Sequence, residues 1–123
     1  MPREPTSSAQ QVRVHETDGQ TVVQLFGEID IAVTLLITAE VDAITSRPNS
    51  HVVVDLGLVD FLDCRGLGLL CRARRRVEER GGHLTLVCPD PRIRQMIRIV
   101  GLSQVFFLTD TLDEALDGRT SVR

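Results

Sequence analysis

Cys64 is the residue most able to do chemistry in this sequence, in the segment Asp63-Cys64-Arg65-Gly66. The segment follows an apolar run and precedes a helical pattern, so it predicts a helix that begins just after a strand ends. A helix N-terminus carries unpaired backbone N–H groups and a partial positive charge. Such a position suits a reactive thiol, a phosphorylated side chain, or the anchor residue of an interface.

Enzymatic use of this thiol is not supported elsewhere in the chain. A nucleophile needs a general base, and His15, His51 and His83 all fall at the edges of predicted strands. The sequence contains no G-x-x-x-x-G-K-[ST] loop, no dinucleotide fingerprint and no zinc-like spacing of Cys and His. We therefore expect neither catalysis nor a bound metal or cofactor.

Composition favours a single cytoplasmic domain. Hydrophobic residues make up 42% of the 123 residues, and a net charge of −3 gives no reason to expect nucleic-acid binding. No apolar run approaches the ~18 residues that would span a membrane, and the polar N-terminus does not resemble a signal peptide. We expect a flexible tail at 1–10, a domain at 11–117, a second tail at 118–123, and reduced cysteines.

Apolar periodicity predicts nine elements in the order β-β-α-β-α-β-α-β-α. The predicted strands are 11–15, 21–26, 51–55, 83–88 and 105–108, and the predicted helices are 34–46, 66–80, 91–100 and 111–116. Either Asp30 or Thr34 is expected to cap the first helix. The first two strands form a hairpin around Asp18-Gly19. Repeated alternation of strand and helix then implies a largely parallel sheet, and thus an α/β fold.

Two helices are predicted to bury one face each. For the first helix we expect the buried face to carry Leu35, Leu36, Ala39, Ala43 and Ile44. For the second we expect it to carry Gly66, Leu69, Leu70, Ala73 and Val77, with Arg72, Arg75, Arg76 and Glu79 in solvent. The arginine cluster formed by Arg72, Arg74, Arg75 and Arg76 could be taken for a phosphate or nucleic-acid patch. Acidic neighbours favour a solvated face that gives rim contacts to a partner.

Five motifs, in the right order over roughly residues 11–117, make this sequence resemble the STAS domain of bacterial anti-sigma factor antagonists. They are Leu25-Phe26-Gly27-Glu28-Ile29-Asp30, the stretch from Asp55 to Leu70, Arg80-Gly81-Gly82-His83-Leu84, Ile97 to Leu102, and Asp113-Glu114-Ala115-Leu116. The resemblance implies a mixed sheet of about five strands with about four helices packed mainly on one side.

The same resemblance implies a function in transcription regulation. Such domains bind an anti-sigma factor, usually of a kinase-like ATPase fold, and thereby free a sigma factor. The expected partner-binding residues are Gly27, Glu28, Asp30, Asp63, Cys64, Arg65, Gly66 and Leu67, together with the exposed side of the helix that follows. Within that set we expect Gly66 to allow close backbone approach and Leu67 to give an apolar contact.

Cys64 departs from the family pattern, in which a Ser or Thr after the Asp is phosphorylated. We hypothesise that the domain keeps its partner surface and lacks this phospho-switch. A second hypothesis is a redox switch between Cys64 and Cys88, if both lie at one edge of the sheet. The simplest alternative is a small side chain in place of Ser.

Two other regulatory functions remain open for a domain of this kind. One is a scaffold of a stress-signalling complex, and the other is the STAS subunit of a lipid-transport ATPase. Whichever function applies, including that of an antagonist, the domain could also form a weak homodimer. All of these functions depend on protein contacts and require neither nucleic acid nor membrane insertion.

Overall fold

The computed structural model describes residues 11–117, which form five strands and four helices. They are β1 (Val12–Thr17), β2 (Gln20–Ile29), α1 (Ile31–Ile44), β3 (His51–Leu62), α2 (Cys64–Glu79), β4 (His83–Val87), α3 (Pro91–Ile99), β5 (Phe107–Thr109) and α4 (Leu112–Leu116). This is the predicted order of elements. The two expected tails, 1–10 and 118–123, lie outside the described residues.

The strands form one mixed sheet in the order β1-β2-β3-β4-β5. Strand β1 runs antiparallel to β2, and β2, β3, β4 and β5 are parallel neighbours. The β1–β2 turn has left-handed backbone at Asp18 (φ 52°) and Gly19 (φ 77°), as a two-residue hairpin turn requires. The predicted mixed sheet is therefore confirmed.

Three helices cover one face of the sheet, and the fourth helix lies on the other face. Helices α1, α2 and α3 enclose the larger core, in which Ile37, Leu70 and Ile97 are buried. Helix α4 packs its Ala115 against Val22, Val53 and Val87 from the opposite side. Within residues 11–117, no helix is long and apolar enough to cross a membrane.

Strand β3 is much longer than predicted. The predicted strand is too short because two irregularities in the pairing of β3 with β2 hide the alternation of buried and exposed residues. The pairing with β2 shifts register between Gln24 and Phe26 and again between Gly27 and Glu28, each time with one extra residue on β3. The Asp55 carboxylate accepts from the Gly57 N–H (2.8 Å) at the first shift. Core residues of β3 therefore recur every third position, as Leu56, Val59 and Leu62, instead of every second.

The predicted buried face of α1 is wrong. Leu35 is 71% exposed and Leu36 is 49% exposed, whereas Ile37 and Val41 are buried. Of the two expected caps for α1, the structure has Asp30, whose carboxylate accepts from the Val33 N–H (3.0 Å), so the helix begins at Ile31. Since this helix is apolar almost all round, its sequence does not single out the face that meets the sheet.

The predicted face of α2 is confirmed, since Gly66, Leu69, Leu70, Ala73 and Val77 are all buried. One solvated residue was misassigned, because Arg76 reaches α1, where it donates to Thr45 Oγ1 (3.0 Å) and to the Asp42 carbonyl (2.9 Å). The last strand begins two residues later than predicted. Val105 and Phe106 belong to a turn in which both backbone N–H groups donate to the Leu102 carbonyl.

Candidate partner-binding site

The candidate site lies where β2 and β3 end side by side. Their last residues, Ile29 and Leu62, are register partners. Each strand is followed by an aspartate that caps the next helix, Asp30 for α1 and Asp63 for α2. The two helix N-termini are therefore neighbours at one edge of the sheet.

Asp63 occupies the anion-binding position of α2 with its own carboxylate. Its Oδ1 accepts from the backbone N–H groups of Arg65 and Gly66, both at 3.0 Å. Its carbonyl accepts from the Leu67 N–H (3.0 Å). The positive end of the helix is thus neutralised internally, and a phosphoryl group on residue 64 would lie beside a negative charge.

Cys64 is the first residue of α2, and its side chain is exposed. The two histidines of the parallel strands, His51 and His83, are register partners at the other end of β3 and β4. At ~3.3 Å per residue, the twelve-residue strand β3 separates His51 from the site by more than about 30 Å. No histidine in β3 or β4 can therefore act as a base for the Cys64 thiol.

The proposed redox pair of Cys64 with Cys88 is contradicted by the length of β3. Val87 pairs with Asp55, so β3 runs on for about another 20 Å before it reaches α2. Two cysteines with Cα atoms more than ~7 Å apart cannot be bridged without backbone movement. Cys88 is also fully buried, and burial raises its pKa to about 11.

Gly66 and Leu67 both face the interior of the protein. Gly66 allows a close backbone approach, as expected, but within the molecule, and the expected apolar contact of Leu67 with a partner is wrong. A Cβ on Gly66 would lie 2.5 Å from Leu62 Cδ1 and 3.2 Å from the Ile29 carbonyl oxygen. The glycine therefore lets α2 approach the ends of β2 and β3. Leu67 is 5% exposed and belongs to the core, so its side chain is not available for an apolar contact with a partner.

The remaining predicted residues do lie together at this edge. Glu28, Cys64 and Arg65 are exposed, while Asp30 and Asp63 are half-buried caps. Gly27 adopts φ +75° next to the second register shift, and Gln11 donates to the carbonyl of the preceding Phe26 (3.0 Å). The site thus presents charged and polar groups on a rigid backbone edge.

Sequence reasoning missed several exposed apolar side chains around this edge, namely Ile31, Leu35, Leu36, Leu58 and Phe61. The signal was present, because α1 carries more apolar residues than one buried face can use. Leu58 and Phe61 lie between the buried residues of β3, which recur at every third position. Exposed apolar groups beside a polar rim are typical of a protein-binding surface.

The arginine cluster is mostly paired within the molecule. Arg72 binds Asp42 (2.8 Å), Arg74 binds Glu78 (2.6 Å), and Arg76 reaches α1. These contacts leave little free positive charge for a phosphate or nucleic-acid patch. Over residues 11–117, no group of three or more His, Cys, Asp or Glu side chains is arranged to hold a metal ion.

Residues 11–115 match the STAS domain family, and the chain belongs to that family. An anti-sigma F factor antagonist of Paenibacillus polymyxa is 25% identical over 86% of this chain and 92% of its own length. The anti-sigma-F factor antagonist RsfB of Mycobacterium tuberculosis is 27% identical over 87% of each chain. The resemblance found in the sequence motifs is thus confirmed.

Solved structures agree with this assignment. The crystal structure of an anti-sigma factor antagonist from Mycobacterium paratuberculosis has a TM-score of 0.78 to this chain. It is 32% identical and covers 87% of this chain and 91% of its own. The five-stranded mixed sheet with four helices is therefore the fold of this family.

Proposed function

We propose that this protein is an anti-sigma factor antagonist: it binds an anti-sigma factor of kinase-like ATPase fold in the cytoplasm and thereby frees a sigma factor. The observation that carries the proposal is the edge formed by two adjacent capped helix N-termini, at Asp30 and Asp63, in a chain whose relatives are named antagonists. The role is recognition, and no catalytic step is assigned to it.

The geometry of the edge supports recognition. Asp30 and Asp63 hold their loops through backbone hydrogen bonds of 3.0 Å. A partner would therefore meet Glu28, Cys64 and Arg65 in fixed positions, without ordering a loop on binding. Sites held by strands and helices in this way are more precise than sites on free loops.

The thiol at position 64 removes the usual control of binding by phosphorylation. A phosphoryl group adds about −1.5 to −2 charges, and at this position it would face the Asp63 carboxylate. A thiol does not accept phosphate from a Ser/Thr kinase, and the following residue is Arg65. The proposed complex is therefore not broken by phosphorylation of the residue after Asp63.

The binding proposal is tested with the kinase-fold anti-sigma factors encoded by the source organism. Each is purified, immobilised, and exposed to this protein with ADP or ATP, and release of a pre-bound sigma factor is followed. We expect one of them to bind with a micromolar or tighter Kd and to release its sigma factor. If none binds this protein under any nucleotide condition, the proposed function is wrong.

The phospho-switch is tested on the same partner by intact-mass measurement after incubation with ATP and Mg²⁺. We expect wild type and Cys64→Ala to remain unmodified, and Cys64→Ser to gain one phosphoryl group. Since Cys64 is exposed and near the helix cap, all three proteins should fold alike. Phosphorylated wild-type protein would show that another hydroxyl serves as acceptor.

A further inference from the structure

Helices α1 and α2 pack side by side, and the outer surface between them, bordered by Ile31, Leu35, Arg65 and Gly68, is named the crease. The two helices run in the same direction, since Asp63 bonds to Ile29 at their N-terminal ends and Arg76 reaches Thr45 at their C-terminal ends. The Arg72–Asp42 pair, with Nε and Oδ1 2.8 Å apart, closes the crease towards the C-terminal ends. Towards the N-terminal ends, the crease opens onto the candidate site.

The α1 wall of this crease is apolar and exposed. Leu35 lies seven residues before Asp42, which is two helical turns or ~10 Å, and so shares its side of the helix. Ile31 lies one further turn back. Leu35 is 71% exposed and Ile31 is 50% exposed, so two large apolar side chains line the wall without internal cover.

The α2 wall carries a glycine, Gly68, at a position where packing inside the protein does not require one. Gly68 lies three residues after Arg65 and four before Arg72, so these three positions share one stripe. A Cβ at Gly68 would meet nothing within 4 Å, in contrast to the tightly packed Gly66. Glycine inside a helix costs about 1 kcal/mol relative to alanine. The packing described for residues 11–117 does not account for that cost.

Charge adds a third property to the crease. Arg65 lies at the N-terminal end of the crease. It precedes Arg72 by two helical turns, as Leu35 precedes Asp42, so Arg65 and Leu35 lie at the same height along the two helices. Within the described part of the chain, Arg65 makes no ion pair, whereas Arg72, Arg74 and Arg76 each do. A partner that fills the crease would therefore be stabilised by a carboxylate opposite Arg65.

We infer that the α1–α2 crease is a docking groove for the anti-sigma factor, which inserts an apolar side chain over Gly68 and places an acidic residue against Arg65. The inference rests on the proposed function and extends it, since it names the chemistry of the partner surface. Leu35 and Ile31 contact the inserted side chain, and the missing side chain at Gly68 lets the partner backbone come close. The groove continues the edge at Asp63 and Cys64.

The test compares four variants in the binding assay and in thermal unfolding. The double change Ile31→Ser with Leu35→Ser should weaken binding at least about tenfold, as loss of buried anchor contacts does. Gly68→Ala should raise the unfolding temperature and yet weaken binding, which a purely structural role would not produce. Arg65→Glu should weaken binding and reverse its dependence on salt. Ile99→Ser is the matched control, because Ile99 is 73% exposed in α3 and lies outside the crease.

The possible results distinguish failure of the proposed groove from failure of the proposed function. If wild type binds an anti-sigma factor and the crease variants bind as tightly as Ile99→Ser, the groove is wrong and the proposed function stands. If wild type binds no anti-sigma factor, both proposals fail together. The groove is supported if the Ile31→Ser, Leu35→Ser double variant and Gly68→Ala both bind more weakly than wild type while Ile99→Ser binds as tightly.

Discussion

Each of the three cysteines lies in a different environment, although all are free thiols. Cys64 is exposed at the start of α2, Cys71 is half-buried further along the helix, and Cys88 is in the core. Burial raises the pKa of the Cys71 thiol, and it raises that of Cys88 to about 11. Only the thiolate reacts readily, so burial makes Cys71 and Cys88 less reactive both by limiting access and by raising the pKa.

We therefore predict stepwise labelling of the native protein by a thiol reagent at pH 8. Cys64 should react first and Cys88 last, because a pKa raised from 9.0 to about 11 leaves about a hundredfold fewer thiolates. Peptide mass mapping at successive times identifies the order. Cys64→Ser should remove the fast phase alone, and equally fast labelling of Cys88 in the folded protein would contradict the assignment.

At the scale of single elements, Gly66 and Gly68 make a matched pair within one helix. Gly66 faces the Ile29 carbonyl and Leu62, while the space outside Gly68 is empty. We predict that Gly66→Ala lowers the free energy of unfolding by about 1–3 kcal/mol through overpacking. Gly68→Ala should raise it by up to about 1 kcal/mol through helix propensity. Denaturant unfolding measures both, and equal stability of the two variants would contradict this account of the packing.

The order of elements and the family could be predicted from the sequence, because strands and helices alternate clearly and the glycines mark their ends. The core face of α2 could be predicted as well, since Leu69, Leu70, Ala73 and Val77 repeat at helical spacing against an arginine-rich side. Polar and apolar residues lie on opposite sides of α2, so only one orientation of the helix buries the apolar side and leaves the arginines in solvent.

Two features could not be predicted, and each has a physical reason. Helix α1 has apolar residues on several sides, so only tertiary packing decides that Ile37 is buried and Leu35 is exposed. Strand β3 follows a three-residue period where it carries two extra residues relative to β2, and this hides its second half. Both errors fall at the candidate site, where apolar residues left outside the core are available to a partner.

At the scale of the whole molecule, the candidate site and the histidines occupy opposite ends of the sheet. The rings of His51 and His83 are in contact, with centroids 4.2 Å apart and planes tilted by 47°, and His51 Nε2 is buried without a hydrogen-bond partner. Desolvation, and next the neighbouring His83, lower the pKa of His51. Protonation of His51 would place charge where it is poorly solvated.

We predict that the fold loses stability on mild acidification. Because the pKa of His51 is lower in the folded than in the unfolded chain, the unfolded chain takes up its proton first, and stability falls as the pH drops below about 6.5. Urea unfolding at pH 7.5 and 5.5 should show this fall, and His51→Gln should reduce it. A wild-type midpoint that does not change between these pH values would contradict the prediction.

The placement of α4 has a practical consequence for how the protein is handled in binding assays. The Leu116 carbonyl accepts from Gln20 Nε2 (2.8 Å) at the start of β2, so the described chain ends remote from the edge at Asp30 and Asp63. Gln11 instead lies beside Phe26 and Gly27, next to that edge. A tether attached near Leu116 therefore leaves the candidate site open, while one attached near Gln11 crowds it.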